Sequence, residues 1–284
     1  MEPNRGTLVG VAPPNADGLL AQVDAIENLP VLSEHHQRLQ HLVEDDSASL
    51  SDVAALVERD PTFAANLIRI ANSPIFAQRV PVDSIRRAIQ VIGFKGVADM
   101  SLTLEVVQGF GFPEGLDVET FWDHAVNTAV LAKDLAAQNG IDRDRAYLVG
   151  LLHDVSFLAL CKFLPDVFAA LVAVSTEEVP IHVACQRQQG CFPLDVTSRL
   201  MRRWNFDAEV IEATALLADP AREGDEGARK LALTVHNAHE VCQQYQQGCL
   251  PWDRLAPLPD GLRLSSSREH TFASGLSAAI LSCC

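Results

Sequence analysis

Positive charge is scarce in this chain: 22 Lys plus Arg stand against 37 Asp plus Glu in 284 residues, a formal charge of −15. A surface this acidic repels phosphate backbones unless a local basic patch overrides it, which argues against direct DNA or RNA binding. No apolar run approaches the roughly 20 residues that a bilayer crossing needs. The opening Met1-Glu2-Pro3-Asn4-Arg5 also lacks the basic-then-apolar layout of a secretory signal. The expectation is therefore a cytoplasmic protein with no membrane span. Cys-x-x-Cys pairs are missing too: the seven cysteines (161, 185, 191, 242, 249, 283, 284) are odd in number and scattered, which fits a reducing compartment better than a disulfide framework or a zinc ribbon. Cys283-Cys284 has neither a Cys-a-a-X ending nor a polybasic companion, and it reads as exposed free thiols.

Alternating apolar runs long enough to found a sheet are absent, as is any internal repeat of about 20 to 50 residues. Gly109-x-Gly111 is followed by Pro113 rather than a phosphate turn, and no Gly-x-Ser-x-Gly or Walker-type run occurs. What remains is a globular composition, 48% hydrophobic and 21% charged, whose apolar residues recur at three and four positions. The class is all-α. At about 150 residues per domain, the length allows one large domain or two small ones.

The chain divides into an N-terminal arm (1–23), a helical half (24–112), a second helical half (113–247) and a C-terminal loop with a weak helix (248–284). In the first half, boundaries fall at Ser49 before Leu50, at Asp60-Pro61, at Ser73-Pro74 and at Gly93. Asp60 can cap the first amides of a helix whose first position, Pro61, has no amide hydrogen to satisfy. The stretch from Gly109 to Gly115 breaks the helical period and marks the junction, with its two Phe residues packed. Helices follow near 118–138, 142–160, 165–174, 178–189, 194–204, 207–218 and 228–246.

Chemistry is concentrated at Leu151-Leu152-His153-Asp154, where imidazole and carboxylate at the end of an apolar helix can share one divalent cation. Partners are His124 on the preceding helix and His239, one position beyond the apolar seam of the 228–246 helix, with His236 one turn earlier. On spacing alone, the pair reads as a half-buried polar contact holding two helices in register. His35, His36 and His41, beside Glu34, Arg38 and Glu44, read as a solvated face, and Arg86-Arg87 and Arg202-Arg203 as solvated surface. Trp122 and Trp204 read as core anchors.

These stretches together resemble the HDOD family, a degenerate branch of the HD-domain metal-dependent phosphohydrolases, over roughly residues 24–245. In the first half the likeness rests on Asn28-Leu29-Pro30, Arg59-Asp60-Pro61, the Asn72-Ser73 signature within Ile70–Phe76, and Arg87–Phe94 with Gly93. In the second half it rests on Phe121–His124, Gly150–Asp154 and Arg202-Arg203-Trp204 leading into Glu212-Ala213. The resemblance implies an HDOD-type fold of two packed helical subdomains and a role in bacterial signalling. Sensor kinases, response regulators or cyclic-dinucleotide enzymes are the implied partners.

Departures from the family pattern fall where a hydrolase needs groups. The familiar Ile-Gly-Lys after His-Asp is Val155-Ser156-Phe157, an expected histidine is Pro193, a His-His pair falls on Leu217-Ala218, and an expected aspartate falls on His239. A two-metal clamp needs bridging carboxylates and more ligands than these. The expectation is a non-catalytic module acting through its surfaces, with no cofactor. The alternative is a phosphohydrolase for a nucleotide or cyclic dinucleotide, holding a single divalent ion (Fe, Mn or Zn) at His124, His153, Asp154 and His239.

Overall fold

The computed structural model describes residues 16–246, apart from positions 31, 46, 74, 75, 77, 112 and 177. Fourteen α-helices and no strand occupy the described residues. They are α1 (Ala16–Asp24), α2 (Glu34–Glu44), α3 (Leu50–Val57), α4 (Pro61–Ala71), α5 (Ile85–Ile92), α6 (Phe94–Phe110), α7 (Val118–Asn139), α8 (Arg143–Leu152), α9 (Val155–Phe163), α10 (Pro165–Val174), α11 (Ile181–Gln189), α12 (Pro193–Arg203), α13 (Ala208–Leu216) and α14 (Glu226–Gln246). One connected set of buried apolar side chains runs from α1 to α14 and includes both the 24–112 and the 113–247 stretches.

Local chemistry starts these helices where the sequence places their caps. Ser49 and Asp52 exchange side-chain and backbone hydrogen bonds in a capping box at the start of α3. Asp60 accepts from the amides of Thr62 (3.0 Å) and Phe63 (2.9 Å) ahead of Pro61. Gly93 separates α5 from α6 at φ 81°, a value that L side chains rarely adopt.

Asn72, at the C-terminus of α4, works at longer range. Its side-chain amide donates to the carbonyls of Val82 (2.7 Å) and Ile68 (3.0 Å), and its oxygen accepts from the Val82 amide (2.7 Å). It pairs both backbone groups of a residue whose side chain is buried. Asn72→Ala strands those groups and should cost about 1–3 kcal/mol. A urea midpoint that falls with unchanged m would show this; a midpoint unmoved by the substitution would assign the residue no latch. Asn72→Asp restores only the acceptor and should recover little.

The helix α1, which spans the end of the N-terminal arm and Asp24, packs on α12: Arg199 makes two bonds to the Asp24 carboxylate, one of them 2.8 Å. Other expectations are corrected. Arg203 donates to the carbonyls of Val23 (2.9 Å) and Ile26 (2.6 Å) at the end of α1, so it caps a helix rather than lying solvated. Residues 1–15, the 248–268 loop and the weak helix at 269–281 lie outside the described residues.

The polar face read at His35, His36 and His41 is also divided. α2 turns His36 and Leu39 inward together, three residues apart, and His36 Nδ1 stands 3.3 Å from the Ser101 hydroxyl of α6. His35 meets the Phe63 ring edge-on, while His41 stays exposed. Finally, residues 143–163 are long and apolar enough in composition to cross a membrane, contrary to the sequence expectation. Of its most apolar 18 consecutive residues 72% are buried inside the fold, and the stretch is broken in the middle.

Candidate metal centre

That break makes the site. The single helix expected over 142–160 is instead α8 and α9, separated at His153-Asp154. His153 keeps right-handed helical backbone, and Asp154 leaves it at φ −102°, ψ 10°. The His153 side chain turns back along α8, and its Nδ1–H donates to the Gly150 carbonyl at 2.7 Å. Its own carbonyl accepts from the Thr197 hydroxyl of α12 at 2.9 Å. Because a carbonyl can only accept, Nδ1 carries the hydrogen, and a neutral His153 ring presents a bare Nε2 to the interior.

Close helix packing brings His124 to it. α7 and α8 form the most extensive helix pair, and Gly150 is the reason they can approach so closely. A Cβ at Gly150 would stand 2.8 Å from Ala129 Cα and 3.0 Å from Ala129 N. α14 lies along α7 and supplies His239 beside the buried Val235, Ala238 and Cys242.

The result is a triangle of ring nitrogens. His153 Nε2 and His239 Nδ1 are 3.0 Å apart, His124 Nε2 and His239 Nδ1 3.0 Å, and His153 Nε2 and His124 Nε2 3.3 Å. Asp154 Oδ2 lies 3.2 Å from His153 Nε2 and 3.9 Å from His124 Nε2. Among the described residues, these four side chains form the one group of this kind whose donor atoms converge, all within 4.8 Å.

Protons alone cannot satisfy this arrangement. Each ring nitrogen is either bare or carries a hydrogen, so among three at least two are alike. One contact of the triangle must then set lone pair against lone pair or hydrogen against hydrogen. A cation answers all the lone pairs at once. With metal–nitrogen bonds of about 2.0–2.1 Å, nitrogens on one ion stand about 2.8–3.4 Å apart, and the observed spacings fall in that interval. The donor set therefore fits a single divalent ion.

Electrostatics acts on the same donors in different directions. Burial favours a protonated Asp154, but the adjoining His153, with His239 and His124, outweighs it and holds the carboxyl far below the usual range. Burial pulls His153 down, and Asp154 overcomes it, so the net shift is upward. His239, pushed to about 3 by burial and then by His153, is a neutral ring at neutral pH, the form in which imidazole ligates.

The other sequence candidates sit elsewhere. His236 Nδ1 donates to the Leu217 carbonyl at 2.9 Å, binding α14 to the end of α13. Pro193 is buried at the start of α12, and Ser156 is buried with its hydroxyl unpartnered. Trp122 is fully buried. Trp204 is half-buried, edge-on to Phe110 and Phe206, and its indole N–H donates to the Pro30 carbonyl at 2.6 Å. Thr197 escaped notice in the sequence, and Gly150 entered there only as the first residue of the Gly150–Asp154 motif, not as the residue that lets two helices approach. The only signal was a glycine inside an otherwise apolar helical run.

A family model described as HDOD domain matches residues 29–220. An uncharacterised protein of Treponema pallidum (strain Nichols) is 24% identical over 194 residues, 66% of this chain and 37% of its own length, so the chain spans little more than a third of that relative. The fold is similar to that of an HDOD domain protein of unknown function from Geobacter sulfurreducens (TM-score 0.70, 22% identity, 82% of this chain and 80% of that one). It is also similar to a Shewanella amazonensis SB2B protein provisionally named a phosphohydrolase (TM-score 0.68, 22% identity, 84% of each chain). A third neighbour is a Marinobacter aquaeolei VT8 protein provisionally named for signal transduction (TM-score 0.65, 22% identity, 98% of this chain and 62% of that one).

Proposed function

This chain belongs to the HDOD domain family, and from that premise we propose that it is a bacterial signalling module that acts through its surfaces on other signalling proteins, while its former hydrolytic centre holds one divalent ion without turning over a phosphodiester. The observation that carries this reading is the donor count. Three imidazoles and one carboxylate can hold one ion, whereas a two-metal clamp needs bridging carboxylates that the described residues do not bring to the centre. A hydrolase must also stabilise developing phosphate charge, and the position after the pair holds Val155, Ser156 and Phe157 rather than a lysine.

His124, His153, Asp154 and His239 would hold the ion, which when bound supplies positive charge at the meeting of α7, α14 and the α8–α9 break. Gly150 and Thr197 orient His153 through its Nδ1–H and its carbonyl. Binding a partner needs fewer fixed groups than catalysis, and an acidic helical body suits a basic or apolar protein face. Sensor kinases, response regulators and cyclic-dinucleotide enzymes are the proposed partner classes.

The test is phosphodiesterase assay of the metal-loaded chain on cyclic dinucleotides and a chromogenic diester, beside the His153→Ala/Asp154→Ala double variant, with both genes used to complement a deletion strain. No turnover by either protein, and complementation by both, is the expected result. Turnover by the parent that the double variant lacks would replace this reading with a phosphohydrolase.

A further inference from the structure

Resting on that one-ion reading of the centre, we propose that His239 makes it selective for a borderline transition ion of the zinc class against magnesium and manganese. Three of the four converging donors are imidazole nitrogens. Imidazole suits zinc, iron, nickel and copper, whereas magnesium and manganese favour carboxylate, carbonyl and water oxygens. Only Asp154 supplies such an oxygen and a negative charge. A hard ion there would exchange most of its oxygen shell for imidazole nitrogens, which hold it less well than they hold zinc.

His239 decides this balance. Its Nδ1 is the apex nearest both other nitrogens, 3.0 Å from each, against 3.3 Å between His124 and His153. It is also the one donor contributed by α14, with His124 on α7 and the His153-Asp154 pair between α8 and α9. An ion on these donors clamps three parts of the chain far apart in sequence. A carboxylate at 239 would give the centre two negative oxygen donors and two imidazoles, a set that accepts manganese readily.

The experiment is equilibrium dialysis of the metal-stripped full chain against Zn²⁺, Co²⁺, Mn²⁺ and Mg²⁺, singly and in competition, with elemental analysis of the bound fraction. One equivalent of zinc should bind and survive a hundredfold excess of manganese or magnesium. H239D should loosen zinc by about tenfold or more and narrow its lead over manganese. The cobalt adduct's visible bands should shift between the parent and H239D as a nitrogen donor is lost. His239→Asn, verified as helical by circular dichroism, covers the case in which H239D does not fold, and it should weaken zinc without improving manganese. Manganese bound as tightly as zinc, no ion bound, or a preference indifferent to both substitutions would overturn the proposal. A manganese-selective centre without phosphodiester turnover would sink this inference alone and leave the non-hydrolytic reading standing.

Discussion

Gly150→Ala should lower the melting temperature by roughly 4–8 °C and abolish the proposed metal binding. Two effects oppose each other. In a helix, alanine is favoured over glycine by about 1 kcal/mol. Against this, the new Cβ would stand 2.8 Å from Ala129 Cα, 3.0 Å from Ala129 N and 3.2 Å from the Thr128 carbonyl carbon. All three are backbone atoms, so no flexible side chain can yield and α7 and α8 must separate. Overpacking of this kind costs about 3 kcal/mol at the upper end of its usual range, which leaves a net loss of about 2 kcal/mol. The separation falls between His124 and His153, whose nitrogens are 3.3 Å apart, so the centre opens with the helices. Gly18→Ala on α1, where nothing lies within 4 Å of the added carbon, should be stabilising by about 0.4–1 kcal/mol. Thermal melts of both variants check the pair of signs. A Gly150→Ala protein that melts with the parent and still binds zinc would mean that this crossing does not set the site.

Acidification should cost the fold about 3 kcal/mol through His36 alone. Burial, and secondarily the charge of His35, pushes its pKa from 6.5 to about 4 in the folded chain. Above pH 6.5 the ring is neutral in both states and contributes no pH dependence. As the pH falls from 6.5 towards 4, the unfolded chain takes up a proton that the folded chain refuses, so stability is progressively lost across that window. His36→Leu removes this titration and leaves a constant offset from the unpartnered Ser101 hydroxyl. Urea midpoints measured between pH 7.5 and 4 should therefore diverge less steeply for the variant than for the parent. Parallel curves would show that His36 titrates normally.

These two residues divide what was legible from what was not. The caps at Ser49 and Asp60-Pro61 were readable because a side chain and the amides two or three positions ahead of it satisfy each other locally. The His-Asp pair and His124 were readable because their residue types matched a known pattern, and His239 because it stands where that pattern has an aspartate. His36 was misread because three histidines among charged neighbours look solvated, and only the placement of α6 over α2 buries the one that faces Ser101. The break at His153-Asp154 was missed because an unbroken apolar period ran through it; the hydrogen bond to the Gly150 carbonyl and the Thr197 contact from α12 compete with the helix there.

By itself, then, the order of residues determined the helical class and most helix starts and singled out the four side chains of the candidate centre, since each depends on period, capping chemistry or residue type. Tertiary structure alone decided that those donors meet. It did so through a glycine whose missing side chain lets two backbones touch and through α14 returning to α7 more than a hundred residues later, contacts between distant segments that no local pattern encodes.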